Sequence, residues 1–324
     1  MSEISVLGAG AWGTALALHA CRQGHRVTLW ARDPARAAEI ATARANPRLP
    51  GVLLPDALRV TGDAEEAARA ELTVLAVPVQ PLRAVLARLP VRLPPLLLAC
   101  KGLEAGSLRL PLEVLAEARP GQPGGVLSGP NFAHEVAAGL PAASVVASTD
   151  PALRERALAL LSGGALRLYG SEDALGVQLG GAAKNVLAIA AGIATGAGLG
   201  ENARAALITR GLAELSRLVV GLGGRVETAS GLSGLGDLML TATGPSSRNT
   251  SLGMALGRGM KLQEILAGRQ AVTEGVMTAP ALLARAEAAG VELPICASVV
   301  EVLEGRLDVA GATRALLARP TRDE

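Results

Sequence analysis

A single lysine, Lys184, lies in an almost uncharged stretch of glycine, alanine and aliphatic residues that covers residues 180–198. The pattern predicts a mostly buried helix over Val177–Gly198. Burial removes water from a lysine ammonium and disfavours its charged form, so such a lysine is suited to release and regain a proton. Lys184 is therefore the first candidate for an acid–base catalyst.

A glycine-rich segment near the start of the chain, residues 8–13, reads Gly-Ala-Gly-Ala-Trp-Gly between a predicted strand and a predicted helix. In this context Gly8 permits a tight turn, Gly10 lets the backbone approach a pyrophosphate, and Gly13 lets the helix lie close to the sheet. The alternative is an ordinary strand-to-helix turn. A dinucleotide site combined with a buried proton donor is what carbonyl reduction by hydride transfer requires.

The residues after the second predicted strand bear on the choice of cofactor. NAD sites usually have a carboxylate there for the ribose hydroxyls, whereas this chain has Trp30-Ala31-Arg32 and only then Asp33. A guanidinium at this place can pair with a 2′-phosphate, so we expect NADP(H) to be used, with NAD(H) also accepted. The alternative is a solvated Arg32 beside a helix-capping Asp33.

Asp237 lies among glycine and leucine residues, where a buried carboxylate needs a partner such as Lys184. Further along, Ser247-Arg248-Asn249 offers a bidentate guanidinium flanked by two hydrogen-bonding side chains, which suits a phosphate monoester. The alternative for this segment is a plain polar loop.

Two more segments are predicted at the carboxyl edge of the sheet, where open sheets bind ligands. Lys101 follows a predicted strand and could reach an anion, although it could equally be a surface lysine. Residues 128–132, Ser-Gly-Pro-Asn-Phe, precede a helix whose first N–H groups could hold an oxygen anion or could simply be capped.

The first half of the chain alternates apolar runs with helical patterns, which is typical of a parallel sheet covered by helices on both faces. The predicted strands are Ile4–Leu7, Arg26–Trp30, Leu72–Val77, Leu96–Cys100, Val126–Leu127 and Ser144–Ala147. The predicted helices are Ala11–Arg22, Pro34–Arg44 and four more that open at Pro81, Ser107, Asn131 and Pro151. The proline-rich segment Asn46–Asp63 is predicted to be a long surface loop.

Strand patterns stop after about Glu172. The second half predicts helices over Val177–Gly198, Arg204–Leu222, Leu262–Ala267, Thr278–Ala289, Ile295–Glu304 and Val309–Leu317. We therefore expect a dinucleotide-binding domain over residues 1–176 and an all-helical substrate-binding and catalytic domain over residues 177–324.

Composition argues against several classes of protein. A net charge of +2 without basic blocks does not suggest nucleic-acid binding. Three widely spaced cysteines and three histidines show no disulfide or metal-ligand pattern, which favours a reducing compartment. The longest apolar run is too short to predict membrane insertion, and a strand starting at Ile4 leaves no room for a signal peptide. We expect a cytoplasmic protein.

The chain resembles the bacterial NAD(P)-dependent glycerol-3-phosphate dehydrogenases essentially from end to end. The resemblance is carried by residues 8–16, 76–78, 101–104, 128–130, 176–180, 184–185, 202–211, 234–238, 247–249 and 274–275. It implies reversible reduction of dihydroxyacetone phosphate to sn-glycerol 3-phosphate for phospholipid synthesis. It also implies a Rossmann-type α/β N-terminal domain, an all-α C-terminal domain and a homodimer.

The resemblance also implies roles for individual residues. Lys184 matches the family's proton donor and acceptor. Substrate-contacting positions match Lys101, Gly129, Asn131, Lys184, Asp237, Ser247, Arg248 and Asn249. Dinucleotide-contacting positions match Ala11, Trp12, Arg32, Lys101, Ala133, Arg248, Val272 and Glu274. Asn131 stands where the family commonly has a hydroxyl residue.

Two other functions remain open from the residues themselves. One is a different two-domain dehydrogenase, for example one acting on a 3-hydroxy acid, since a carboxylate also favours arginine and lysine. The other is a dinucleotide-binding sensor without catalysis, against which the presence of both Lys184 and Asp237 argues.

Overall fold

The computed structural model describes residues 1–244, 246–268 and 273–320. The chain divides into two units, of which the first comprises Met1–Lys101 with Arg109–Gln178 and the second Gly102–Leu108 with Leu179–Glu324. Every residue of the first unit is described. Its elements in chain order are β1 (Glu3–Leu7), α1 (Ala11–Arg22), β2 (Arg26–Trp30), α2 (Pro34–Ala43), β3 (Ala45–Asn46), β4 (Leu49–Leu53), β5 (Leu58–Thr61), α3 (Ala64–Ala67), β6 (Leu72–Leu75), α4 (Leu82–Arg88), β7 (Leu96–Leu98), α5 (Pro111–Ala118), β8 (Gly124–Ser128), α6 (Ala133–Ala138), β9 (Ala142–Ala147), α7 (Pro151–Leu161) and β10 (Leu166–Ser171).

The first unit contains an eight-stranded sheet in the order β10-β9-β8-β7-β6-β1-β2-β5. Strands β6 and β7 are buried along their whole length because helices cover both faces of the sheet, which explains their continuous apolar sequences. The strand order reverses at β1, which lies between β6 and β2. The predicted α/β class is confirmed, and the glycine-rich segment follows the strand at this switch point, where such sheets bind ligands.

The sheet differs from the prediction in direction at one edge. Strand β8 pairs with β9 antiparallel, while β9 and β10 are parallel to each other, so the sheet is mixed. Strand β10 was not predicted because it is a short edge strand in which only alternate residues, such as Leu166 and Leu168, are buried. The helix expected from Ser107 begins instead at Pro111.

The predicted surface loop over Asn46–Asp63 is wrong. Strands β3 and β4 form an antiparallel hairpin, and β5 pairs with β2 as the other edge strand of the sheet. The guanidinium of Arg44 donates to the carbonyl oxygens of Leu54, Pro55 and Leu58, which fixes the chain between the hairpin and β5. Prolines indicated a loop, but a hairpin and an edge strand tolerate proline because not every backbone N–H must bond to a neighbour.

Among the described residues of the second unit, every regular element is a helix. The chain passes into it within α8 (Ala174–Gly196), between Gln178 and Leu179. The elements that follow are α9 (Gly200–Gly221), α10 (Val226–Ser230), a π-helical turn (Leu232–Gly236), α11 (Asp237–Thr243), α12 (Arg248–Gly257), α13 (Leu262–Ala267), α14 (Glu274–Ala288), α15 (Pro294–Leu303) and α16 (Val309–Leu317).

Helix α8 is long and apolar enough to cross a membrane by length and composition, but the window that meets this test is 100% buried inside the structure. This burial is typical of the core helix of a globular protein. With aromatic residues at 1% of the chain, the core around α8 is built from small and aliphatic side chains. Helix backbones can approach each other closely where the residues between them are small.

A buried carboxylate holds the start of α15. Glu214 of α9 is 3% exposed, and its Oε1 and Oε2 accept hydrogen bonds from the backbone N–H groups of Ile295 and Cys296 at 2.6 and 3.3 Å. These N–H groups belong to the first turn of α15 and have no acceptor within the helix. Desolvation raises the pKa of the Glu214 carboxyl from its usual 4.5, although the two N–H groups and Arg217 oppose the shift.

The raised pKa predicts how stability depends on pH. Because the folded protein holds the Glu214 proton more tightly than the unfolded chain, this group's stabilising contribution is full below pH 4.5 and falls as pH rises through the folded pKa. Glu214→Gln does not titrate, so its free energy of unfolding relative to the parent should increase from pH 4.5 to neutral pH. Urea denaturation at each pH measures this difference.

Glu155→Gln, on the exposed part of α7, is the matched control and should show no such trend. A difference between Glu214→Gln and the parent that stays constant or falls with rising pH would contradict the burial argument.

Candidate active site

The glycine-rich turn of the first unit has the geometry that its sequence predicts. Gly8 has a φ of +120°, and a Cβ there would collide with the carbonyl oxygen of Ala76. A Cβ at Gly13 would collide with the carbonyl oxygen of Gly8, so the first turn of α1 lies directly against the end of β1. By contrast, no atom lies within 4 Å of where a Cβ at Gly10 would stand.

This turn fits a dinucleotide. Gly10 is the extended N-cap of α1, and no side chain bonds to the first N–H groups of the helix. Those groups belong to Ala11, Trp12 and Gly13, which form the first turn of the helix. Backbone N–H groups at a helix N-terminus together with a glycine that admits close approach form a pyrophosphate cradle. Of the other residues expected at the dinucleotide, Arg32 is exposed just past β2 and Ala133 begins α6.

The structure brings Lys101 and the 128–132 turn together. Lys101 Nζ donates to the carbonyl oxygen of Gly129 at 3.0 Å. Gly129 has a φ of +153°, and Asn131 Nδ2 donates to Ser144 Oγ at 2.6 Å. Asn131 Oδ1 is buried without a hydrogen-bond partner among the described residues, so this amide is only half satisfied. Three of the residues expected to contact substrate therefore lie at one place in the first unit.

The second unit contains a buried charge pair. Lys184 Nζ of α8 lies 3.1 Å from Asp237 Oδ1 of α11 and donates to Thr241 Oγ1 at 3.0 Å. Thr241 Oγ1 in turn donates to Asp237 Oδ1 at 3.3 Å. The Asp237 side chain is 2% exposed, whereas that of Lys184 is 11% exposed. The carboxylate is almost completely buried, while a small part of the lysine side chain remains accessible.

The backbone before Asp237 is shaped by close contacts. The π-helical turn ends at Gly236, and Asp237 begins α11. A Cβ at Gly234 would collide with the Ala229 carbonyl, and a Cβ at Gly180 of α8 would lie 2.6 Å from the Ser233 carbonyl oxygen. The glycines therefore let this turn press onto α8, which brings Asp237 to Lys184. An acidic residue in the first turn of α11 is also favoured by the helix dipole.

A buried amide network lies beside the charge pair. Asn249 Nδ2 donates to Asn185 Oδ1 at 2.8 Å, and Asn249 Oδ1 accepts from the N–H of Gly275 at 3.1 Å. Asn185 Nδ2 is buried and has no acceptor among the described residues. Because buried donors normally have partners, this atom points to an oxygen supplied by a ligand or water.

Helices α8 and α12 touch backbone to backbone. A Cβ at Gly192 of α8 would collide with the Thr250 carbonyl, and a Cβ at Gly253 of α12 would collide with the Ile189 carbonyl. Asn185 and Asn249 sit on these same two helices, so the glycine contact sets the distance that their hydrogen bond needs.

The candidate phosphate-binding residues lie at the start of α12. Ser247 is its N-cap and accepts from the N–H of Thr250 at 3.1 Å, Arg248 is its first residue, and Asn249 follows. Arg248 is exposed, whereas Ser247 and Asn249 are buried. A helix N-terminus and a guanidinium at one point favour an anion.

Two further residues were expected at the dinucleotide. Glu274 is the partly buried first residue of α14, and Val272 lies outside the described residues. The predicted residues thus fall into two sets, one in each unit: the glycine-rich turn with Arg32, Lys101, Gly129, Asn131 and Ala133, and the Lys184 cluster with Ser247, Arg248, Asn249 and Glu274.

Sequence reasoning gave no role to two side chains of the second set, Thr241 and Asn185. Thr241 stands four residues after Asp237, a spacing that places both on one face of a helix, but α11 itself was not predicted. Asn185 is a second buried polar residue in the apolar stretch, and its position directly after Lys184 is the signal that could have identified it.

Comparison with known proteins identifies the family. The model for the NAD-dependent glycerol-3-phosphate dehydrogenase N-terminus matches residues 3–154, and the model for the C-terminus of the same family matches residues 173–314. The chain belongs to the NAD-dependent glycerol-3-phosphate dehydrogenase family. The predicted resemblance is thereby confirmed.

Relatives in this family match over nearly their full length. A glycerol-3-phosphate dehydrogenase (NAD(P)+) of Acidiphilium cryptum is 55% identical over 322 residues, covering 99% of this chain and 98% of the relative. The corresponding protein of Gluconobacter oxydans is 52% identical over 325 residues, with 99% and 98% covered. The crystal structure of glycerol-3-phosphate dehydrogenase from Coxiella burnetii matches with a TM-score of 0.93 at 38% identity, covering 98% of this chain and 99% of that one.

The helix contact that positions the amide network can be tested through stability. Gly253→Ala forces a methyl group into the Ile189 carbonyl, so the two helices must separate. Overpacking of this kind costs about 1–3 kcal/mol of unfolding free energy. Urea denaturation of the purified variant measures the loss.

Gly268→Ala is the matched control because its Cβ would have no atom closer than 3.9 Å, and it should change stability by less than about 0.5 kcal/mol. If both variants are equally stable, the helices do not need the glycine at residue 253.

Proposed function

We propose that the chain catalyses the NAD(P)H-dependent, reversible reduction of dihydroxyacetone phosphate to sn-glycerol 3-phosphate and so supplies glycerophospholipid synthesis. The observation that carries this proposal is the buried pair of Lys184 and Asp237 with Thr241, in a chain whose relatives are named glycerol-3-phosphate dehydrogenase (NAD(P)+). An ammonium that is held in a dry site and still reachable is suited to protonate a carbonyl oxygen.

The glycine-rich turn of the first unit would hold the cofactor. The N–H groups of Ala11, Trp12 and Gly13 would bind the pyrophosphate, and Arg32, Lys101, Ala133, Arg248, Val272 and Glu274 are the further contacts that the resemblance implies. Bound NAD(P)H supplies the hydride for the carbonyl carbon.

Lys184 is the proposed proton donor for the carbonyl oxygen. As the carbonyl carbon is reduced, negative charge grows on its oxygen, and Lys184 Nζ donates a proton to that oxygen. Asp237 and Thr241 fix the ammonium by contacts of 3.1 and 3.0 Å, so little reorganisation is needed at the moment of transfer. In the oxidative direction Lys184 takes the proton back. Asn185 Nδ2, which lacks an acceptor among the described residues, is placed to donate to a substrate oxygen as well.

The substrate phosphate is assigned to the start of α12. Arg248 supplies the charge and the planar pair of donors, and the α12 N-terminus adds partial positive charge. Ser247 and Asn249 complete the segment, with Lys101, Gly129 and Asn131 as further substrate contacts implied by the resemblance. Binding energy from a phosphate remote from the reacting carbon can be used to orient the ketone.

We further propose that the chain acts as a cytoplasmic homodimer, with a dinucleotide-binding domain over residues 1–176 and a helical substrate-binding and catalytic domain over residues 177–324. The passage of the chain from the first unit to the second between Gln178 and Leu179 supports this boundary, whereas Gly102–Leu108 groups with the second unit. The dimer rests on the family resemblance, and the cytoplasmic location rests on the cysteine pattern.

Replacement of the lysine tests the proton transfer. Lys184→Ala should lower kcat for dihydroxyacetone phosphate by about 10²- to 10⁴-fold, because a positioned proton donor contributes a factor of this size. NADPH binding, measured by fluorescence titration, should be retained. The assay follows NADPH absorbance with and without dihydroxyacetone phosphate.

Lys184→Ala leaves Asp237 buried without its cation, which by itself costs about 3–5 kcal/mol of stability. The double variant Lys184→Ala, Asp237→Asn removes that charge and separates misfolding from lost chemistry. Near-parental turnover in either folded variant would remove Lys184 from the mechanism. Activity of the parent with a 3-hydroxy acid, but not with dihydroxyacetone phosphate, would overturn the proposal that dihydroxyacetone phosphate is the substrate.

Arg248→Lys tests the phosphate contact. Lysine keeps the charge but lacks the planar pair of donors, so kcat/KM for dihydroxyacetone phosphate should fall by about tenfold or more. Unphosphorylated dihydroxyacetone should be a poor substrate for parent and variant alike, so the ratio of the two efficiencies should fall in the variant.

Arg258→Lys, at the opposite end of α12, is the matched control and should leave that ratio unchanged. An unchanged ratio in Arg248→Lys itself would place the phosphate elsewhere, with Lys101 as the next residue to examine.

A further inference from the structure

Three arginines of the first unit lie around the end of β2. Arg32 is the second residue after the strand, Arg36 is in the first turn of α2, and Arg48 is in the turn of the β3–β4 hairpin. Arg48 is 16 residues from Arg32 in sequence, and the segment between them contains a helix. Only the fold brings these side chains together.

One buried amide, that of Asn46, ties the hairpin to the glycine-rich turn. Asn46 is 1% exposed, and its Nδ2 donates to the Ala9 carbonyl oxygen at 3.2 Å and to Thr14 Oγ1 of α1 at 2.7 Å. Its Oδ1 accepts from Arg36 Nη2 at 3.3 Å and from the backbone N–H of Arg48 at 3.1 Å. Every polar hydrogen and the oxygen of this side chain are therefore used in joining Arg36, Arg48 and the cofactor turn.

The three guanidinium groups form a local excess of positive charge. Within the fully described first unit, none of them has a carboxylate at ion-pair distance. The neighbouring carboxylate, Asp33, is used in capping α2, where it accepts from the N–H of Ala35 at 3.0 Å. Partial burial lowers the pKa of Arg48, and the nearby positive charges of Arg36 and Arg32 lower it further. An anion would offset this excess of positive charge.

We propose that Arg36 and Arg48 join Arg32 in binding the 2′-phosphate of NADP(H), and that Asn46 is the positioning residue that fixes them to the dinucleotide turn. The end of β2 is where such folds bind the adenosine ribose, and a ribose hydroxyl alone would call for a carboxylate rather than three arginines. Guanidinium groups match the oxygens of a phosphate monoester in geometry and charge. This inference rests on the proposed dinucleotide site and extends it to the hairpin.

Ligand binding without any carbonyl substrate tests the proposal. The purified full chain is titrated with NADPH and NADH by fluorescence, and with adenosine 2′,5′-bisphosphate and 5′-AMP by calorimetry. Arg48→Gln and Arg36→Gln should each weaken the binding of NADPH and of the bisphosphate about tenfold, because one charge-assisted hydrogen bond contributes about a factor of ten to a dissociation constant. NADH and 5′-AMP should bind as they do to the parent.

Arg88→Gln removes an exposed arginine of α4 in the same unit and is the matched control for the change in net charge. It should leave all four affinities unchanged. If Arg36→Gln and Arg48→Gln change the dissociation constants of NADPH and NADH by the same factor, or change neither constant, the proposal is overturned.

Asn46→Ala tests the positioning role. If Asn46 had only a structural role, its loss would weaken the binding of both dinucleotides to the same degree. Release of Arg36 and Arg48 should instead raise the ratio of the NADPH dissociation constant to the NADH dissociation constant. A thermal melt confirms that the variant is folded, and an unchanged ratio in the folded variant would exclude Asn46 as a positioning residue.

The result is independent of the reaction. Failure of the chain to reduce dihydroxyacetone phosphate would overturn the proposed function and leave the 2′-phosphate result standing. If Arg36→Gln and Arg48→Gln change the affinities for NADPH and NADH by the same factor, the 2′-phosphate proposal is overturned and the proposed function still stands.

Discussion

The second unit depends on one interaction, the ion pair between Lys184 and Asp237, which is buried in the helical core. Taking both charges out of water costs several kcal/mol per ion, and the mutual attraction repays this only with good geometry and additional hydrogen bonds. Thr241 supplies such a bond to each partner. The arrangement is expensive as a stabilising device, since two apolar side chains would fill the same space without the cost. It makes sense as a site in which an ammonium must be fixed, dry and reachable.

The small residues of the chain are what make that geometry attainable. Gly180 lets the turn before Asp237 approach α8, and Gly192 and Gly253 let α12 lie against the same helix. Larger residues at these places would push α11 and α12 outward, and contacts near 3 Å would be lost at both the ion pair and the Asn185–Asn249 bond. The low aromatic content is consistent with this packing, because backbone-to-backbone helix contacts leave little room for large rings.

Local patterns predicted what is encoded locally. The fingerprint turn and the alternating elements of the first unit have short-range signals, and the isolation of Lys184 in an apolar stretch is visible in the sequence. Thr241 and the hairpin over β3 and β4 lack such signals. The position of Thr241 depends on the π-helical turn, which determines where α11 begins. The hairpin is held by long-range contacts of Arg44 and Asn46, which the positions of prolines do not predict. The reversed direction of β9 likewise depends on pairing across the sheet rather than on its own residues.

The hairpin shows why the missed part of the fold matters for function. If Asn46–Asp63 were a loose surface loop, Arg48 would be one solvated arginine and its position relative to Arg32 would be undefined. A 1% exposed asparagine that satisfies its whole hydrogen-bonding capacity on four different groups gives that arginine a fixed place next to the cofactor turn. Buried polar side chains are costly unless fully bonded, so each one restricts the backbone around it to a single arrangement. In the first unit this restriction falls on the hairpin through Asn46, and in the second it falls on α11 and α12 through Asp237 and Asn249. In both units, therefore, a side chain that is sealed from solvent fixes the position of an exposed or reachable cation that can meet the ligand.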